Sequence, residues 1–354
     1  MYQGLPQQLQ ERAKNITGLV YYDLACYQAL QGKKKAALKN FEKAFNSGWN
    51  DYNHAKGDSD IDNLRKEKKY LEVMAKMRLD SDYLYILQQA EGYNRTETKP
   101  ICYNESVTDT LPRFTYMNPN DSNLVQLRKH FNLDSIAGSG DEISKIKNLL
   151  YWVHNIVPHD GDSRNPEERN TIAMVELCKK ENRGVNCRMM AQMLNECYLA
   201  MGFKSRFITC MPKVMINDCH VINAVYSNTL NKWLWMDPTF NAYVTDEKGN
   251  LLGIGEVRER LRNNQPVVLN EDANWNNKNK QTKEYYLDYY MAKNLYYVTC
   301  PLQSEYNAET NYPGKKWPMY ISLVPEGYSS NGKPGATAYD SHNDSYFWQS
   351  PYQE

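Results

Sequence analysis

The sequence has no charge of one sign to spare. Its 354 residues carry 42 Lys and Arg against 42 Asp and Glu, so the overall balance points to neither nucleic acid nor an anionic membrane as a partner. No apolar run approaches the roughly 20 residues that a membrane-spanning helix needs. The first residues, Met1 to Gln8, are polar and lack the apolar centre of a secretory signal. None of the eight cysteines belongs to a Cys-x-x-Cys pair, which argues against a zinc site. No cofactor motif is present, so neither metal nor cofactor is expected. Phe is scarce at 8, whereas Tyr reaches 28; such rings with a polar tip suit grooves and amphipathic faces.

What is there centres on Gly184 to Thr239. Gly184-Val185-Asn186-Cys187-Arg188 runs into a segment in which Met190, Leu194, Tyr198 and Met201 recur at helical spacing before Gly202. This predicts a helix with one buried face. Cys187 then sits at the helix start, where unpaired N–H groups and the positive end of the dipole favour a thiolate. Three strand-like runs follow, over 204–211, 218–226 and 231–239. His220 lies early on the second and Asp237 at the end of the third. In such a set the thiolate attacks a carbonyl, the imidazole activates the thiol and protonates the leaving group, and the carboxylate orients the imidazole. Cys219, next to His220, is expected on the opposite face of its strand.

The Gly-x-x-Cys-Arg helix start, the exit Gly202-Phe203-x-Ser205-Arg206, the strand Cys219-His220-Val221 and the strand end Trp235-Met236-Asp237-Pro238-Thr239 occur in that order. Cys187 and His220 are 33 residues apart, His220 and Asp237 17. On these pieces the chain resembles the transglutaminase-like superfamily of cysteine enzymes. The resemblance implies an α+β fold, a papain-like core in which the Cys-bearing helix packs on an antiparallel sheet. It also implies Cys187, His220 and Asp237 as catalytic residues. It leaves the reaction open among hydrolysis of an amide or peptide bond, acyl transfer to an amine, and a non-catalytic binding module with a vestigial triad. The first is the leading expectation, with a peptide or protein as substrate.

An acyl-transfer site also needs donors for the oxyanion. The Cys187 N–H is one. Asn182, Asn186 and Trp152 are candidates for the second, Trp152 reading better as packing. His159, on the loop after the helix predicted over 141–157, is a cleft candidate. His154, on that helix, reads as a surface or packing residue, and Arg188 and Arg206 as members of structural pairs.

The remaining organisation is read as follows. Residues 1–80 form a helical region that resembles a tetratricopeptide repeat at Leu24, Ala25, Gly32, Ala37, Phe41 and Ala44, and such helices could recruit a protein partner. Residues 81–120 connect, 121–310 make the core domain, and 311–354 form a C-terminal extension. Glu284 to Val298 reads as a helix with Tyr on several sides, serving as core or groove wall. The polar, Tyr- and Asn-rich composition favours an exported bacterial enzyme, periplasmic or surface.

Overall fold

The computed structural model describes residues 7–89, 102–105, 112–213, 218–330 and 338–351. The chain divides into two compact units, Met1–Thr98 and Lys99–Glu354. The N-terminal unit is helical, with Gln7–Leu30, Lys34–Asn46, Tyr52–Gly57, a 3-10 turn Ser59–Leu64, Lys68–Ser81 and Tyr83–Gln89. Ala25, Ala29, Ala37 and Ala44 are buried, so the first two helices approach closely; Phe41, Ile61, Leu64 and Met77 fill the space around them. Of the expected connecting segment, residues 90–101 and 106–111 lie outside the described residues.

The second unit is built on a six-stranded sheet. Its strands are β1 (Ser205–Met211), β2 (His220–Ser227), β3 (Lys232–Met236), β4 (Tyr297–Pro301), β5 (Tyr320–Leu323) and β6 (Ala338–Ser341). Their spatial order is β6-β5-β4-β1-β2-β3. The β5–β6 pair is parallel and the other pairs are antiparallel. Residues 311–354, expected as an extension, thus contribute two strands to the central sheet.

The helix Cys187–Ala200 lies against β1 and β2. Every residue from Met189 to Ala200 is buried, which corrects the expectation of a single buried face. The helices Ser122–His130, Glu142–Ile156 and Thr171–Glu181 also contact it, and with the sheet they leave no side of its body to water. Polar side chains survive there because each finds a partner. Asn195 donates to Ser304 Oγ (2.9 Å), and Glu196 accepts from the Thr171 hydroxyl (2.6 Å) and the Asn307 N–H (2.7 Å).

Local chemistry sets the helix starts. Asp141 accepts from the Ser144 N–H, Asn170 from that of Ala173 and Asn186 from that of Met189; each cap satisfies a donor that the helix leaves over. The stretch Glu284–Val298 is not one helix. A short turn at Lys283–Tyr285 widens into a π-helical stretch, Tyr286–Met291, and a strand begins at Tyr297. The wider turn presents Tyr286 and Tyr290 toward the same neighbours.

Candidate active site

Cys187 is the first residue of its helix, and the preceding Asn186 caps it. Gly184 makes the approach possible. A Cβ there would lie 2.4 Å from the Pro158 carbonyl oxygen, so only glycine lets the two segments pair. Val185 N–H donates to Pro158 O (3.1 Å) and Asp160 N–H to Val185 O (2.8 Å). This short parallel bridge carries His159 to the Cys187 side chain.

His220 opens β2, and its Nε2 lies 2.7 Å from Asp237 Oδ2. Both side chains are buried. The same carboxylate oxygen accepts from the Tyr286 hydroxyl (2.6 Å), while Oδ1 accepts from the Thr239 N–H (2.9 Å). Asp237 is itself held by two backbone bonds to Ala242 (2.8 and 3.0 Å). With Nε2 committed to Asp237, Nδ1 is the nitrogen that can serve the thiol; it makes no close hydrogen bond in this geometry.

The electrostatics of the pair run in opposite directions. Burial pushes the Cys187 thiol up, but the neighbouring His159 and His220 imidazoles, the His220 charge and the Val221 N–H outweigh it and bring the pKa down to about 6. Burial pushes His220 down, and the Asp237 carboxylate overrides this, raising it to about 10. Near neutral pH the two groups therefore form a thiolate–imidazolium pair.

His159 is held from the other side by the hairpin Asn274–Lys280. Trp275 Nε1–H donates to His159 Nδ1 (3.0 Å). Indole can only donate, so Nδ1 is the accepting nitrogen and the proton of this ring sits on Nε2. Asn276 clamps the His159 backbone, accepting from its N–H (2.7 Å) and donating to its carbonyl (2.9 Å).

The other sequence candidates have different employment. The Asn186 side chain is the helix cap and also donates to Asn165 (2.6 Å). Asn182 is exposed and ends the helix Thr171–Glu181 in a left-handed conformation, φ 50°. Trp152 packs its ring on Phe131, with centroids 5.0 Å apart. His154 is buried, its Nδ1 on the Pro238 carbonyl (2.9 Å) and its Nε2 on Asn274 Oδ1 (3.0 Å); it anchors the strand end that bears Asp237. Cys219 precedes β2 and packs with Met211, Tyr297 and Val324.

Sequence reading missed four contributors. Tyr286 holds Asp237. Phe240 and Tyr290 flank the His220 ring at 5.5 and 5.1 Å. Glu309, fully buried, forms an ion pair with Arg188, accepts from Gln192 Nε2 (2.5 Å), and so ties the Cys187 helix to the 305–310 loop. Each is far from its partner in the chain, and no local pattern signals the pairing.

Residues 129–238 match the model of the transglutaminase-like superfamily. Among solved structures, the chain is similar to a Cytophaga hutchinsonii protein named a putative cysteine protease. That match has 16% identity and a TM-score of 0.26, and covers 41% of this chain and 46% of that one, under half of its length. No curated protein matches the chain. Among the described residues no helix is long and apolar enough to cross a membrane. The second unit is mixed helix and sheet, and the matched residues 129–238 lie within it, so this part of the chain is similar to the transglutaminase-like superfamily.

Proposed function

We propose that this protein hydrolyses an amide or peptide bond through a thioester acyl-enzyme on Cys187. The observation that carries the reading is the company of the sulfur: two imidazoles beside it, one of them bonded to a buried carboxylate. The Cys187 thiolate attacks the carbonyl carbon, and a C–S bond forms as the carbonyl oxygen becomes an oxyanion. The Cys187 N–H at the helix start is one donor to that oxyanion. His159 Nε2–H, its tautomer fixed by Trp275, is the second. The C–N bond then breaks, and the amine leaves with the proton of the His220 imidazolium. In the second half, neutral His220 takes a proton from water, the hydroxide attacks the thioester, and the thiolate returns beside the imidazolium. Asp237 keeps the imidazole oriented throughout.

The test begins with alkylation of each cysteine as a function of pH, resolved by peptide mass spectrometry, in wild type and His220→Ala. Cys187 should lead the other seven near pH 7 and lose that lead in the variant. An activated acyl ester should then acylate wild type but not Cys187→Ala, with water releasing the acid. Capture by added amines in preference to water would make acyl transfer the reaction. A Cys187 that reacts like an ordinary thiol, with a pKa of about 8.5, would remove the basis of the reading.

A further inference from the structure

A cleft of ≈ 510 Å³ is walled in part by the aromatic rings that flank His220. Phe240 and Tyr290, whose rings flank the imidazole, also line this cleft, and Trp275 and Tyr285 extend its aromatic wall. Asn279, Lys280, Gln281 and Thr282 make up the polar part; no Asp or Glu lines it among the described residues. Gln281 is 8% exposed. Its amide N–H donates to Asn279 O (2.9 Å), while its Oε1 is buried without a partner among the described residues. A buried acceptor left unpaired carries a penalty that a ligand N–H or O–H would remove.

We infer that this cleft is the subsite for the amine half of the substrate, and that it takes an amino acid with an aromatic side chain. The inference rests on the acyl-enzyme reading and adds the substrate class. Position assigns the half: two walls of the cleft, Phe240 and Tyr290, are the rings that lie against the imidazole that hands its proton to the departing nitrogen. Lining assigns the class. Aromatic walls favour a ring by offset or edge contact. Gln281 Oε1 accepts one N–H of the same group. A lone lysine with no carboxylate disfavours a basic side chain and tolerates an acidic or carboxyl-terminal one.

The reverse half-reaction reads the site directly. An amine bound in the cleft attacks the thioester, its nitrogen forms the amide bond, the C–S bond breaks, and His220 takes the surplus proton. Wild-type protein is acylated with a p-nitrophenyl acyl ester in the presence of equal concentrations of phenylalanine amide, tryptophan amide, alanine amide, lysine amide or a glycosylamine. The ratio of amide product to free acid is measured for each. The aromatic amides should be captured about tenfold or more over alanine amide, the scale on which an apolar pocket discriminates, and lysine amide no better than alanine. Tyr285→Ala should lower the phenylalanine-to-alanine ratio at least threefold. The ratio is taken within each variant, so a general loss of acylation cancels. Lys280→Glu, at an exposed position, should raise capture of lysine amide relative to alanine amide. Equal capture of all amides, a ratio unmoved by Tyr285→Ala, or preferred capture of the glycosylamine would overturn the assignment while leaving the acyl-enzyme intact. Absence of a p-nitrophenol burst would overturn both.

Discussion

Two cysteines in the two units, Cys26 and Cys187, are both set on helices and both desolvated, yet their thiols move in opposite directions. Cys26 lies on the helix Gln7–Leu30, and its Sγ–H donates to Asp58 Oδ2 (3.5 Å) beside the Tyr22 hydroxyl, which donates to the same oxygen (2.6 Å). Burial pushes this thiol up first, and the Asp58 charge adds to it, raising the pKa to about 12. Burial pushes Cys187 up in the same way, yet it ends at about 6. Burial alone therefore does not decide whether a cysteine becomes a nucleophile. The sign of the neighbouring groups does: a carboxylate keeps the proton on, and imidazoles with a backbone N–H take it off. The position of Cys187 at a helix start works in the same direction, whereas Cys26 is in the last third of its helix.

The largest break in this comparison should come from His220→Ala. If the proposed chemistry holds, turnover falls by a factor on the order of 10^6, the scale of losing a triad base. Alkylation of Cys187 at pH 7 should fall about thirtyfold as the thiol returns toward the ordinary free-cysteine value of about 8.5. In wild type the pH profile has a worked sign. Reactivity rises as pH passes about 6, where Cys187 deprotonates, and the ion pair is lost as pH passes about 10, where His220 deprotonates. Cys26 should stay unreactive throughout that window. A Cys187 profile centred above pH 8 would erase the contrast. Next in size is Asp237→Asn, which should cost on the order of 10^4 in kcat by releasing the imidazole tautomer, with circular dichroism unchanged.

The Cys187 side of this contrast was largely legible in the sequence, and the reasons are specific. The Cys187 helix, the strand order and the spacing to His220 and Asp237 lie within one stretch whose elements follow each other in the fold, so local periodicity and motif order carry them. The helix Glu142–Ile156 was equally plain, because Asp141 caps it and Ile146, Leu149, Leu150 and Val153 share its buried side. What stayed hidden depends on long-range contact. Trp275 meets His159 across 116 residues, and Glu309 meets Arg188 across 121. The strands β5 and β6 are four residues each, too short for a periodic signal, and are recognisable only once they pair with β4 and with each other. The tyrosines after 284 read as helix because the π-helical turn that gathers Tyr286 and Tyr290 around the His220–Asp237 pair has no counterpart in a 3.6-residue pattern.

The second imidazole sharpens the comparison at intermediate scale. His159→Ala should lower kcat by about 10^2–10^3, the size of losing one oxyanion donor, and should raise the Cys187 pKa by removing one of its hydrogen-bonding neighbours. Trp275→Phe keeps a ring in place but frees His159 Nδ1 to carry the proton, so a fraction of molecules present an acceptor to the sulfur. A fall in kcat of about tenfold at unchanged KM is expected, smaller than deletion of the donor itself. If Trp275→Phe changes KM alone, the indole acts on substrate rather than on the tautomer. Tyr286→Phe removes one of three donors to Asp237; a net hydrogen bond of about 1 kcal/mol corresponds to roughly a fivefold loss.

The smallest effect belongs to the N-terminal unit. Asp58→Asn removes the anion beside Cys26; its one oxygen keeps the cap on the Asp60 N–H, and its amide nitrogen replaces the oxygen that accepts from Tyr22 and Cys26. The Cys26 thiol should become more acidic, because the second of its two main causes is gone, but burial, the larger cause, still holds it above the ordinary range. Its alkylation at pH 9 should therefore rise by less than about tenfold, the equivalent of one pKa unit, and should stay far below that of Cys187. The sign of a neighbour can be removed by one substitution; the two imidazoles that bring a buried thiol down to about 6 cannot be supplied by removing an acid. A Cys26 in this variant that matched Cys187 would show burial to be the lesser cause and would reverse the ranking on which the comparison stands.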